Sequence, residues 1–166
     1  RKTALSIDKM PLEQFYRPAL CLDLSHKPLK SDITVSDLQD AEKMTGETIN
    51  ENDIVLIYMA HYDRTFGTPS FLTDFPGPTK ESAIWLGKKR IASFGVEALS
   101  PGRPGKNNFE VHLVCRDWGF THMEGLTNLH KVVGIGHFQF AGFPLKIRGG
   151  TGSPIRAVAI INDSEK

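Results

Sequence analysis

The sequence predicts a mixed α/β or α+β domain. Two observations carry this. Apolar runs of strand length ("ALCLDLSH", "DIVLIYMA", "IASFGVEA") alternate with segments of helical spacing ("TVSDLQDAEKM", "TKESAIWLGKKR", "FEVHLVCRDWG"). After the last helical segment come two short apolar pieces joined by a glycine turn, which reads as a hairpin-like return. At 166 residues the chain is long enough for one domain, residues 1–166, with a core that needs no disulfide staples.

The elements follow in order. Ser6–Pro18 is polar and proline-punctuated, and reads as a loop with one helical turn. Ala19–His26 is a strand. Thr34–Met44 is an amphipathic helix with Ser36 as N-cap and Val35, Leu38, Ala41 and Met44 on one face. Asp53–Ala60 is apolar at almost every position, as in a strand buried on both faces. His61–Pro78 is a long irregular segment rich in aromatics, glycine and proline, and loops of this length are often functional. The next helix opens at Thr79, its N-cap, and turns Trp85 and Leu86 inward. Its end, "GKKR", is a solvated run that complements the helix dipole. Ile91–Ala98 is a strand and Leu99–Asn107 a turn-rich loop. Phe109–Gly119 is a helix with apolar residues Val111, Val114, Cys115 and Trp118 at helical spacing, and "FTHMEGL" after it is extended. Leu129–Val133 is short and fits no single element. Gly136–Ile147 holds a strand ending at Pro144, Arg148–Pro154 is a glycine turn, and Ile155–Ile161 closes the chain as a strand.

Bulk properties exclude several classes. A net charge of +1 with no basic block argues against nucleic acid. No apolar stretch approaches the length that spans a bilayer, which argues against a membrane role. Two cysteines, Cys21 and Cys115, each in an apolar run, read as buried thiols of a reducing, cytoplasmic compartment.

Three constellations could carry chemistry. "RGGTGSP" is glycine-rich, but a strand follows it and Pro154 removes a donor, so a phosphate cradle is the weaker reading. A tight connection needing positive φ at Gly149, Gly150 or Gly152 is the stronger one. His112 and Glu124 place an imidazole on a helix and a carboxylate on the strand after it, a pair that suits Zn²⁺ or Mn²⁺. Spacing alone leaves this open, because such pairs are common by chance. His122 shares a strand face with Glu124 by alternation. His26 and His61 each follow a strand and read as turn residues, while Tyr62, Phe66, Phe71 and Phe75 would either line a pocket or pack as a lid.

Several blocks then resemble, in order, a family of cyclase-type metal-dependent hydrolases that includes bacterial kynurenine formamidases and isatin hydrolases. They are "IDKMPLEQFYRPALCLDLSH", "ITVSDLQDAE" with "INENDIVLIYMA", "FLTDFPGPTKESAIWL", "FGVEALSPG", "FEVHLVCRDWGFTHMEGLTNL" and "FPLKIRGGTGSPIRAVAII". The resemblance covers nearly the whole chain. It implies a swivelling β/β/α-type domain with a mixed, partly barrel-like sheet. It also implies hydrolysis of an amide, formamide or lactam C–N bond, with His112 and Glu124 as metal ligands. His122 falls outside the family's ligand pattern, and "GGTGSP" becomes a signature near the site.

The sequence also departs from that pattern. The family's His-x-Gly-Thr-His-x-Asp segment, the source of most of its metal ligands, should stand just before "TALSIDKMPLEQF" and does not occur. Two ligands do not make a tight site; three or four are needed. The expectation is therefore an N-terminally truncated domain: a fragment of a longer enzyme, a natural short form without catalysis, or a subunit completed by a partner. The active reading expects Zn²⁺ or Mn²⁺ and a small-molecule aryl substrate. The alternative is a non-catalytic scaffold or interaction protein of the same fold, without metal. Either way a homo-oligomer, dimer or tetramer, is expected, because removing part of a domain exposes apolar surface.

Overall fold

The computed structural model describes residues 4–161. Its centre is a six-stranded mixed sheet in the order β6-β5-β3-β1-β7-β8. Strands β1 (Tyr16–Asp23), β3 (Ile54–Tyr58), β5 (Ser93–Val96) and β6 (Thr121–Met123) run parallel. β7 (Phe138–Ala141) and β8 (Val158–Ile160) continue the sheet antiparallel, as the hairpin-like return predicts. β2 (Asp32–Ile33) and β4 (Gly77–Pro78) form a separate parallel pair. The large sheet is mixed and open, with β6 and β8 at its edges.

Strand alternation divides the molecule into two layers. Leu20, Val55 and Phe94 are register partners in turn, as are Leu22, Ile57 and Val96, and all six point to one face. Helices α1 (Val35–Thr45), α3 (Lys80–Lys88) and α4 (Lys106–Trp118) cover that face with Leu38, Leu86 and Val111. The opposite face carries Ala19, Cys21, Ile54 and Leu56, and is covered by the loop residues Leu126, Leu129 and Val132. α3 and α4 meet closely at Gly87, where a Cβ would lie 2.7 Å from the Trp118 ring. This fixes the seat of α4, which bears His112.

The structure corrects several local expectations. Thr34, not Ser36, caps α1: its Oγ1 accepts from Asp37 N–H at 3.3 Å, and the Asp37 carboxylate accepts from Thr34 N–H at 2.7 Å. Met44 is 85% exposed, because it lies in the last turn of its helix, beyond the edge of the core; Trp118, 46% exposed, packs one side of its ring against α3 at Gly87. α4 begins three residues earlier than its apolar spacing predicts, at Lys106, since its first turn is polar. The irregular segment after β3 contains a short helix, α2 (His61–Thr65), a 3-10 turn at Pro69–Leu72 and β4. Before β1 there are two 3-10 turns, Ile7–Lys9 and Leu12–Phe15, rather than one. Thr79 caps α3 as predicted, accepting from Ser82 N–H. Among the described residues no helix is long and apolar enough to cross a membrane.

Candidate metal centre

The site lies where α4 passes into the edge strand β6. Gly119 ends the helix in the left-handed region (φ 81°), donating its N–H to Cys115 O at 2.9 Å. The chain then turns into β6, where Phe94 pairs with His122 and Gly95 with Met123. Thr121 Oγ1 also donates to Ser93 Oγ at 3.1 Å. Beyond the strand, Gly125 N–H donates to Ala98 O at 2.8 Å and Leu126 N–H to Val96 O at 3.1 Å. Glu124 thus stands between two anchored points.

This path brings His112, His122 and Glu124 together, each with one donor atom within 4.8 Å of the other two. His122 Nε2 lies 3.2 Å from Glu124 Oε1. The imidazoles of His112 and His122 cross at 83° with centroids 4.6 Å apart, and His122 rests against Phe94 at 6.1 Å. Burial holds the His112 pKa below its ordinary value; the neighbouring His122 pushes the same way and Glu124 opposes it. A neutral imidazole is the form that ligates a metal. Arg116, one turn further along α4, is engaged by Asp117 at 2.7 Å.

All three groups open onto a cleft of about 1310 Å³. Its walls are α4, β6, the loop from Glu124 to Val132, the first turns of the chain and the segment from Thr151 to Ala159. The second half of the glycine turn, from Thr151 to Pro154, is therefore a wall of the cleft. Of its glycines only Gly149 has positive φ (68°). The turn is tied to the chain's start: Gly149 N–H donates to Asp8 Oδ1 at 3.0 Å, and Ile7 N–H to Gly150 O at 2.8 Å.

The other candidates do not join this site. His26 is exposed in the turn after β1. His61 is fully buried, its Nε2 is 3.0 Å from Phe71 O, and its ring stacks on Phe71 at 5.3 Å. Tyr62, Phe66 and Phe71 pack on one another at 4.4 to 5.8 Å, Phe75 is buried, and none of these rings lines the cleft. The aromatic segment packs on itself, away from this cleft. Sequence reasoning set His122 aside, although alternation along β6 was the signal that pairs it with Glu124. It also passed over Glu97, an acid in an apolar run that proves to be 1% exposed. Its Oε2 accepts from Met59 N–H at 2.6 Å and His61 N–H at 3.3 Å, and its Oε1 from Tyr62 N–H at 3.3 Å.

Comparison with known proteins places this geometry. The model of the family described as "Putative cyclase" matches residues 1–103. The chain belongs to the cyclase family. The match stops short of His112, His122 and Glu124, so the grouping of these three side chains in this family member is seen only in its structure. An isatin hydrolase from Roseibium aggregatum is 38% identical over 91 residues, which is 52% of this chain and 34% of that protein. The solved isatin hydrolase A from Ralstonia solanacearum is 27% identical with a TM-score of 0.83, over 95% of this chain and 64% of that one. A structure described as a predicted metal-dependent hydrolase from Bacillus stearothermophilus is 25% identical with a TM-score of 0.71, over 90% of this chain and 65% of its own. This cyclase-family chain thus spans less than two thirds of the length of each of these three relatives.

Proposed function

We propose that this cyclase-family chain is a metal-dependent hydrolase that opens a C–N bond of a cyclic amide or an aryl formamide, as isatin hydrolases and kynurenine formamidases do. The observation that carries the reading is the convergence of His112 and Glu124 at the mouth of a cleft, on a fold shared with isatin hydrolases. The donor set fits the ion: imidazole and carboxylate suit Zn²⁺ or Mn²⁺, and the nearest basic side chain on α4 is already paired. His112 and Glu124 would hold the metal. When bound, such an ion supplies Lewis acidity to a carbonyl and acidifies water. The cleft's apolar wall, with Leu126, Leu129 and Phe140, would receive the flat body of an aryl substrate and exclude water from it. We also propose that the protein is a homo-oligomer, supported by the exposed apolar edge at Val158, Ile160 and Ile161.

A turnover assay tests the activity. The protein loaded with Zn²⁺ or Mn²⁺ should hydrolyse isatin or an N-formyl arylamine, and Glu124→Gln should lower kcat/KM by about 100-fold or more. No turnover above the Glu124→Gln background on either substrate overturns the hydrolase reading and leaves a non-catalytic member of the family.

A further inference from the structure

His122 lies outside the ligand pattern that the family resemblance implies, yet its donor is the one best placed against Glu124. We propose that His112, His122 and Glu124 form a three-donor site that binds one divalent transition-metal ion with residues of this chain alone. The inference rests on the reading of His112 and Glu124 as metal ligands and extends it to a third residue.

The separations carry the argument. Two donors bound to one ion at about 2.0 to 2.2 Å, at a tetrahedral angle, lie about 3.4 Å apart. His122 Nε2 and Glu124 Oε1 lie 3.2 Å apart. An ion pair alone would explain that contact. It would not explain why a second imidazole sits within 4.8 Å of both groups. Among the described residues no hydrogen bond engages the His112 ring, so a side-chain rotation of about 1 Å to close the set breaks nothing. The two imidazoles meet edge to face, crossing at 83° with centroids 4.6 Å apart, so neither ring is stacked flat against the other.

The supports are rigid. His112 is in the middle of α4, His122 is paired to Phe94 within the sheet, and Glu124 is followed at once by the Gly125 to Ala98 hydrogen bond. Ligands held in advance by helix and strand bind with little loss of side-chain freedom. The three donors come from one continuous stretch, 112–124, so the site forms wherever α4 and β6 form. Two imidazoles and one carboxylate are a set used by Zn²⁺, Mn²⁺ and Fe²⁺ proteins, and three protein ligands leave at least one coordination position facing the cleft.

The test is calorimetric titration of the metal-stripped protein with ZnCl₂ and with MnCl₂, alongside nitrogen-15 spectra of the histidine rings. The expected result is one ion per chain, a shift of a His122 ring nitrogen on saturation, and an affinity loss of about 100-fold or more for each of His112→Ala, His122→Ala and Glu124→Gln. His122→Gln, whose circular dichroism verifies folding, should lose affinity likewise. A His122 ring that does not shift, with His122→Gln binding as tightly as the unsubstituted chain while His112→Ala fails, overturns the three-donor site and leaves the two-residue reading intact. No binding by the unsubstituted chain overturns the self-contained site, and the turnover assay then decides the hydrolase reading separately.

Discussion

At the scale of the residue, burial decides what each polar group can do. The Cys21 and Cys115 thiols are pushed up to about 12, chiefly by burial, and for Cys21 also by the charges of Asp23 and Glu97. They are inert core residues, as their apolar surroundings in the sequence predict. Glu97 shows the opposite bargain. Burial raises its carboxyl, while the N–H groups of Met59, His61 and Tyr62 hold it down. It joins the end of β5 to the start of α2, where Ala60 takes a left-handed conformation (φ 50°). Glu97→Ala would strand three backbone donors in the interior, so urea denaturation should show a loss of about 3 kcal/mol or more. A loss below about 1 kcal/mol would mean that water replaces the carboxylate.

At the scale of the element, the ends of helices tie local sequence to tertiary structure. Asp37 serves the α1 capping box and also pairs with Lys27 at 2.8 Å, joining the helix to the turn after β1. Burial alone would raise the Asp37 carboxyl, but the hydrogen bonds from Lys27 and Thr34 outweigh it and hold the pKa below 3.8. A lowered carboxyl pKa means that the stabilisation is full above that ordinary value and is lost as the pH falls through the folded value. Asp37→Ala should therefore cost about 1 to 2 kcal/mol at neutral pH, and the difference from the unsubstituted chain should shrink below about pH 3.8. Equal destabilisation at pH 7 and pH 3 would count against this account. α4 and β6 show the same coupling at the site: a left-handed Gly119 and parallel pairing to β5 bring a helical histidine to a strand histidine and a carboxylate.

At the scale of the whole molecule, the two faces of the sheet are unequal. Three helices cover one face, while the other is roofed by a single loop and opens into the cleft lined by His112, His122 and Glu124. β8 lies at the far edge with Val158 and Ile160 each 43% exposed, and among the described residues its outer side has no strand partner, an apolar edge of the kind that proteins protect by pairing or covering. Light scattering at micromolar concentration should give a mass above that of one chain, and Val158→Lys with Ile160→Glu should shift it toward the monomer. A monomeric mass for the unsubstituted chain would overturn the proposed oligomer.

The order and type of the main elements were legible in the sequence because apolar period and turn chemistry are local. The apolar runs became β1, β3 and β5, and Thr79 announced the start of α3. The choice between Thr34 and Ser36 as a cap was not legible, since both are good capping residues and only the reciprocal bond with Asp37 separates them. Spacing left His112 and Glu124 an open pair, and the family resemblance raised them to candidate ligands. Alternation already set His122 on the face of Glu124, and only the tertiary structure brought the helical His112 to both. The parallel pairing of β6 with β5, at the end of α4, sets that pair beside His112, while the packing of the segment after β3 withdraws His61 into the core. Which side chains share a point in space depends on register and layer, and neither is written in the spacing of residues along one chain.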